Sequence, residues 1–443
     1  MSASVFDSAL YAGLFPTGAV HEHFTERAEL AAMLRVEGAL AAAQGELGII
    51  PAESASAIAD AAASVTLDAD ALSPATGRNG VVVPALVADF RAAVGRAEHA
   101  QYVHWGATSQ DIIDTGLMLR MRGALTAIET DLKALLSRLA DLAAEHAETP
   151  MAARTYGQHA TPTTFGAVVA SWGMPLVGLL NELPSLRESC LLVSLSGAAG
   201  TSAALGSQAP QVRASMAASL GLADPGRSWH TDRTPVLRLA DWLSRMSIAM
   251  AKMGEDVIAH MQSGFQEVRL GGAGSSSTMP QKQNPVAASV LVALSHQQTA
   301  MEAALRGSAA VHRHQRDGGA WFTEWMCLPQ IVLGAASSAQ TGLHLARGLE
   351  PDPARMLEML NETLDLIHAE ALSFALTRFL PRPEAQSAVK VLSREAMETG
   401  VPLRQLAARD WPDLDTDKLF DPLGQTGTAP QDARAFVDAA TGR

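Results

Sequence analysis

Residues 236–257 read VLRLADWLSRMSIAMAKMGEDV, and the spacing of their apolar side chains decides the fold class. Val236, Leu239, Leu243, Met246, Met250, Met253 and Val257 recur at steps of three and four, which places them on one stripe of an α-helix. Leu237, Ala240, Ile248, Ala249 and Ile258 add apolar positions beside that stripe. Such a helix is expected to be covered on more than one side, in a bundle or at a subunit interface. Working outward, long helices are expected over residues 108–146, 163–190, 232–264, 285–308 and 325–348, well beyond the roughly three-turn average. The first of these contains no proline and only Gly116 and Gly123 as breakers. Alanine, leucine and methionine dominate, aromatics are 5% of the chain, and β-branched alternation is scarce, so the class reads as all-α.

Composition narrows the function classes. A chain of 443 residues that is 48% hydrophobic can bury large cores. No apolar run reaches the ~18 residues of a membrane span, and the start lacks a signal-peptide pattern. A cytoplasmic protein without a membrane partner is therefore expected. Cys190 and Cys327 lie far apart with no CxxC, and read as buried thiols, not as a disulfide or a zinc site. A formal net charge of -13 argues against a nucleic-acid partner. If the ligand is anionic, the cations that meet it must be few and local. Composition shifts near Gly106 and the prolines at 351, 353, 381 and 383 divide the chain into three helical domains: 1–107, a central long-helix bundle 108–350, and 351–443.

Three polar islands interrupt the apolar scaffold. The first runs His104-Trp105-Gly106-Ala107-Thr108-Ser109-Gln110-Asp111. Thr108 with Asp111 forms a capping box, and the same helix start offers a carboxylate several donors from Thr108, Ser109 and Gln110. Asp111 and Asp114 have no histidine or third carboxylate at a spacing suited to a metal. The second island, Arg154-Thr155-Tyr156-Gly157-Gln158-His159-Ala160-Thr161-Pro162-Thr163-Thr164-Phe165-Gly166, is more polar than helix capping requires. It reads as a surface loop, in which Arg154 either pairs within the fold or meets an anion. The third, Gly271-Gly272-Ala273-Gly274-Ser275-Ser276-Ser277-Thr278-Met279-Pro280-Gln281-Lys282-Gln283-Asn284-Pro285, is too specific in its second half for a linker. Glycines that let it swing, serine donors and the charge of Lys282 suit a catalytic lid, and the register of a P-loop is missing.

That third island resembles the signature loop of the fumarase/aspartase superfamily, Gly-Ser-Ser-x-Met-Pro-x-Lys-x-Asn-Pro, with Ser275 where the family has its glycine. The first and second islands are similar to its two other conserved regions, and the resemblance spans essentially the whole chain. It implies that the three domains assemble through the central bundle into a homotetrameric helical core, with active sites built from three subunits and no cofactor or metal. It also implies a catalytic pair, Ser276 donating the proton at carbon and Lys282 supporting it. The substrate-binding set it implies is His104, Thr108, Ser109, Gln110, Arg154, Thr155, Tyr156, Gln158, His159, Ser277, Met279, Asn284 and Arg316.

Lyases of the superfamily carry a histidine where this chain has Tyr156. Within the superfamily the resemblance is closest to the cycloisomerases, whose nucleophile is a carboxylate of a tricarboxylate substrate, ionised at neutral pH without a base. An adenylosuccinate or argininosuccinate lyase, and a non-catalytic helical oligomer, are the alternatives.

Overall fold

A computed structural model describes residues 4–271, 274, 275, 279 and 282–442. Helices α1 (Glu26–Glu46), α2 (Ala52–Ser64), α3 (Ala69–Asn79) and α4 (Val83–Val94) lead into α5 (Ser109–Glu145), which is 37 residues long. There follow α6 (Phe165–Cys190), α7 (Ala209–Leu220), α8 (Thr234–His260), α9 (Val286–Ala309) and α10 (Gly318–Gly348). Shorter helices, among them α11 (Arg382–Thr399) and α12 (Ala429–Thr441), complete an all-α fold. The long helices begin and end within a few residues of the expected bounds, except that α10 starts at Gly318 and not near residue 325. The reason is local. The Asp317 carboxylate accepts a hydrogen bond from the Ala320 amide at 3.1 Å, and this cap starts the helix early, through Gly318 and Gly319.

The stripe on α8 is buried throughout, Met253 at 2% being its most exposed member. The second apolar face behaves differently. Ala240 is buried, Leu237, Ala249 and Ile258 are half-buried and Ile248 is 49% exposed, so one chain covers this face only in part. Helix α6 is long and apolar enough to cross a membrane by composition, yet half of its most apolar window is buried inside the protein, as in a core helix.

The chain forms two compact units. The first comprises residues 1–131, 179–248 and 293–340, and the second residues 132–178, 249–292 and 341–443. In the first, Leu34 and Leu40 of α1, Ile58 of α2, Phe90 of α4, Ile112 of α5 and Met216 of α7 belong to one core, which seats the start of α5. In the second, Leu372, Leu392, Leu403 and Phe420 form a separate small core.

Among the described residues three two-stranded pairings join the helices, and one of them changes the reading of the second island. Strands β1 (Pro150–Thr155) and β2 (Gln158–Thr164) form an antiparallel hairpin, where the sequence suggested a loop. Its two-residue turn is Tyr156-Gly157, with φ of 53° and 73°. Positive φ at both central positions defines the tight turn whose twist matches that of the flanking strands. The two other pairings are β3 (Val268–Leu270) with β6 (Leu349–Pro351), and β4 (Gly274–Ser275) with β5 (Gln283–Asn284).

The hairpin is anchored where it enters α6. The Phe165 amide donates to the Thr149 carbonyl and the Gly166 amide to the His146 carbonyl, both at 2.9 Å. A Cβ on Gly166 would stand 2.6 Å from the Ala143 carbonyl oxygen and 2.8 Å from the Ala147 Cα, and backbone atoms cannot rotate away. Gly166→Ala is therefore expected to lower stability by about 1–3 kcal/mol, read as a lower urea midpoint with unchanged m-value. An unmoved midpoint would show that close approach is not what keeps glycine there.

Candidate active site

In the first unit the start of α5 is tied down by one buried carboxylate. Asp111 Oδ1 accepts from the Ser194 hydroxyl (3.1 Å), the Ser196 amide (2.8 Å) and His230 Nε2 (2.8 Å). Its Oδ2 accepts from the amides of Gly197 (2.9 Å) and Thr108 (3.0 Å). The last bond is the backward half of the capping box, while the other four recruit residues 194–197 and His230 to the same helix end. A carboxylate with five donors carries its charge in the interior without an arginine.

One turn on, Asp114 is equally buried and does use an arginine. Arg233 Nη1 and Nη2 donate to Asp114 at 2.8 and 3.1 Å, and its Nε and Nη2 donate to Glu324 at 2.9 and 2.5 Å. The guanidinium also stacks on Trp229, 4.8 Å from the ring centroid. Burial raises the Glu324 carboxyl above the ordinary range against the pull of Arg233. Neither Arg233 nor Glu324 was among the residues singled out from sequence. The available signal was a pair of aspartates three residues apart beside Ile112 and Ile113, since buried carboxylates require partners.

Gln110 connects this cluster to the surface. Its Nε2 donates to Asp114 Oδ2 (3.1 Å) and to the His230 carbonyl (2.9 Å), and its Oε1 accepts from Arg316 Nε at 2.8 Å. Arg316 Nη2 also lies 3.5 Å from the Thr108 hydroxyl and 3.4 Å from the Ala198 carbonyl. Thr108, Gln110 and Arg316 are thus brought together. Ser109 stands at the first position of α5. His104, at a positive φ of 65°, has its Nδ1 2.7 Å from buried Glu37, which fixes the ring and leaves Nε2 for another partner.

The second unit carries the hairpin. Arg154 pairs with His159 across the strands and Thr155 with Gln158, so Thr155, Tyr156, Gln158 and His159 all stand exposed around the tip. Arg154 points elsewhere. Its Nη1 and Nη2 donate in parallel to Glu267 at 2.8 and 2.9 Å, and the guanidinium stacks on Phe265. Burial alone would raise the Glu267 carboxyl, but hydrogen bonds from His260 and Arg154 hold it below the usual glutamate range. Desolvation, helped by the charge of Arg154, keeps the His159 imidazole below its ordinary pKa and so neutral at pH 7.

The third island is closed at its base by backbone pairing, Gly274 with Asn284 and Ser275 with Gln283. Ser275, in the place of the motif's glycine, is therefore part of a strand pair. The Lys282 amide donates to the Met279 carbonyl at 3.0 Å, Lys282 and Met279 are exposed, and Asn284 is half-buried. Ser276 and Ser277 lie outside the described residues.

Comparison with known proteins places the chain in a family. Residues 15–298 match the model of a lyase family. A 3-carboxy-cis,cis-muconate cycloisomerase of Pseudomonas aeruginosa is 38% identical over 97% of this chain and 95% of its own length. The chain belongs to this lyase family. It is an enzyme of the fumarase/aspartase superfamily, as its signature loop implied. A nitrosuccinate lyase of Streptomyces davaonensis is 34% identical, covering 99% of this chain and 96% of the relative. Among solved structures, the 3-carboxy-cis,cis-muconate lactonizing enzyme from Pseudomonas putida superposes with a TM-score of 0.91 at 34% identity, over 98% of this chain and 99% of that one.

Proposed function

We propose that this member of the lyase family is a cycloisomerase that lactonises 3-carboxy-cis,cis-muconate to 4-carboxymuconolactone, a step of protocatechuate catabolism through β-ketoadipate. The observation that carries the reading is the full-length likeness to cycloisomerases, joined to a hairpin tip that bears Tyr156 where the lyases have histidine. A lyase needs that group because its amine or oxygen leaving group is too basic to depart without a proton. Here the nucleophile is a substrate carboxylate, with a pKa near ~4, ionised before it attacks.

The step adds one proton, and no other atom, to the substrate trianion. One carboxylate oxygen forms a bond to the far carbon of a double bond, and the π pair moves toward a second carboxylate to give an enediolate. Carbon then takes a proton from the Ser276 hydroxyl, which recovers one from solvent, and the product is an isomer of the substrate. Arg316 and Thr108 hold one carboxylate, with the buried Gln110 amide bracing Arg316 from behind and not meeting substrate, while Lys282, Asn284, Gln158 and neutral His159 stabilise the charge that develops on another. Arg154 acts by holding the hairpin through Glu267. The exposed Ile248 face of α8 supports assembly through the central segment 108–350 into a homotetramer with shared sites, in the cytoplasm.

The test is an assay of the purified protein with 3-carboxymuconate and adenylosuccinate side by side. Lactonisation is expected, with no adenylosuccinate cleavage, and Tyr156→His should keep lactonisation without gaining cleavage. Creation of adenylosuccinate cleavage by that substitution would move the assignment to the lyases.

A further inference from the structure

The reading of Arg316 as a carboxylate ligand leaves open what aims it. An arginine at a chain turn has about 2 kcal/mol of rotamer freedom to lose, and a mobile guanidinium binds poorly. Arg316 lies outside the helices, two residues before α10. We propose that the buried cluster Glu324–Arg233–Asp114 is a positioning device that fixes the orientation of the Gln110 amide and, through it, the direction of Arg316.

The polarity of one amide decides how Arg316 is held. Gln110 is 1% exposed and sits between a cation and an anion. With Oε1 toward Arg316 Nε and Nε2 toward Asp114 Oδ2, every contact joins a donor to an acceptor. Turned over, the amide would set Nε2 against the Arg316 N–H and Oε1 against the Asp114 carboxylate and the His230 carbonyl. Asp114 and the His230 carbonyl together enforce one orientation, and Asp114 does so provided that it stays in place. Arg233 holds it there by gripping it with two nitrogens, and Glu324 holds Arg233 from the other side. Since Gln110 occupies Arg316 Nε, the substrate must be met by the outer edge of the guanidinium. Its direction is set from the interior, through residues that touch no substrate.

Asp114→Asn is the isosteric test, because an asparagine amide can donate to Gln110 Oε1 and permit the turned-over state. It is expected to raise KM for 3-carboxymuconate about ten-fold or more while kcat changes by less than about three-fold. In an Arg316→Ala background the same substitution should add nothing, which a purely structural role would not produce. Gln110→Met, which leaves the ion cluster intact, should raise KM similarly, so the test survives if Asp114→Asn folds poorly. A second readout does not depend on activity: the Arg316 Nε–H resonance in 15N spectra should exchange slowly in the parent protein and rapidly in both variants. An unchanged resonance in both overturns the proposal, as does additivity with Arg316→Ala. The inference rests on the proposed substrate role of Arg316, but the two fail separately. If Arg316→Ala leaves KM unaltered, that role falls, while the resonance still decides whether the cluster aims the guanidinium.

Discussion

Ser276→Ala is expected to lower turnover of 3-carboxymuconate by about two orders of magnitude or more, with KM changed little and the folded state intact. The hydroxyl is assigned one task, delivery of a proton to carbon once the enediolate has formed, and a positioned acid typically contributes about 10²–10⁴-fold. A group used only at that stage is missed in kcat and not in substrate binding. A serine hydroxyl is a weak acid and a weaker base, so it needs positive charge and donors around it, which assigns Lys282 the same step. The fold should not suffer, because the loop is closed by the Gly274–Asn284 and Ser275–Gln283 pairs and alanine removes a single oxygen. The measurement is a steady-state assay beside circular dichroism and thermal unfolding. Near-normal kcat would take the serine out of the reaction.

The reach and the limits of the sequence both follow from chain separation. The α8 stripe was legible because residues three and four apart share a helix face, and every stripe residue is buried. Helix ends were legible to within a few residues, as where the helix expected over 232–264 runs from Thr234 to His260. The hairpin was not. Its strands lack clear alternation, and its turn puts Tyr156, not glycine or asparagine, at the first positive φ. The signature loop was legible as a local motif, but the ties that organise the start of α5 were not. Arg316 and Gln110 are 206 positions apart, and Arg233 and Asp114 are 119 apart, so no local pattern could join them. What the sequence did contain was a constraint: Asp111 and Asp114 in an apolar helix implied partners, though not which ones.

Arg233→Met is expected to cost about 3–5 kcal/mol at pH 7, the range found when one member of a buried ion pair is removed. The loss comes less from the missing contacts than from what stays behind, since Asp114 and Glu324 are 0% and 2% exposed and would share no cation. Two consequences separate this account from simple loss of packing. Adding Asp114→Asn and Glu324→Gln to Arg233→Met should recover stability, although the triple variant has fewer polar contacts than the single one. The deficit should also depend on pH with a definite sign. Burial already raises the Glu324 carboxyl and Arg233 opposes it, so without the arginine the folded-state pKa rises further above the unfolded value. The folded variant then binds a proton that its unfolded chain releases, and its stability falls as pH rises and recovers as pH drops. Urea unfolding of Arg233→Met should show a smaller deficit at pH 5 than at pH 7. An equal deficit at both, or one below about 1 kcal/mol, would mean that the two carboxylates do not depend on Arg233 for their place in the core.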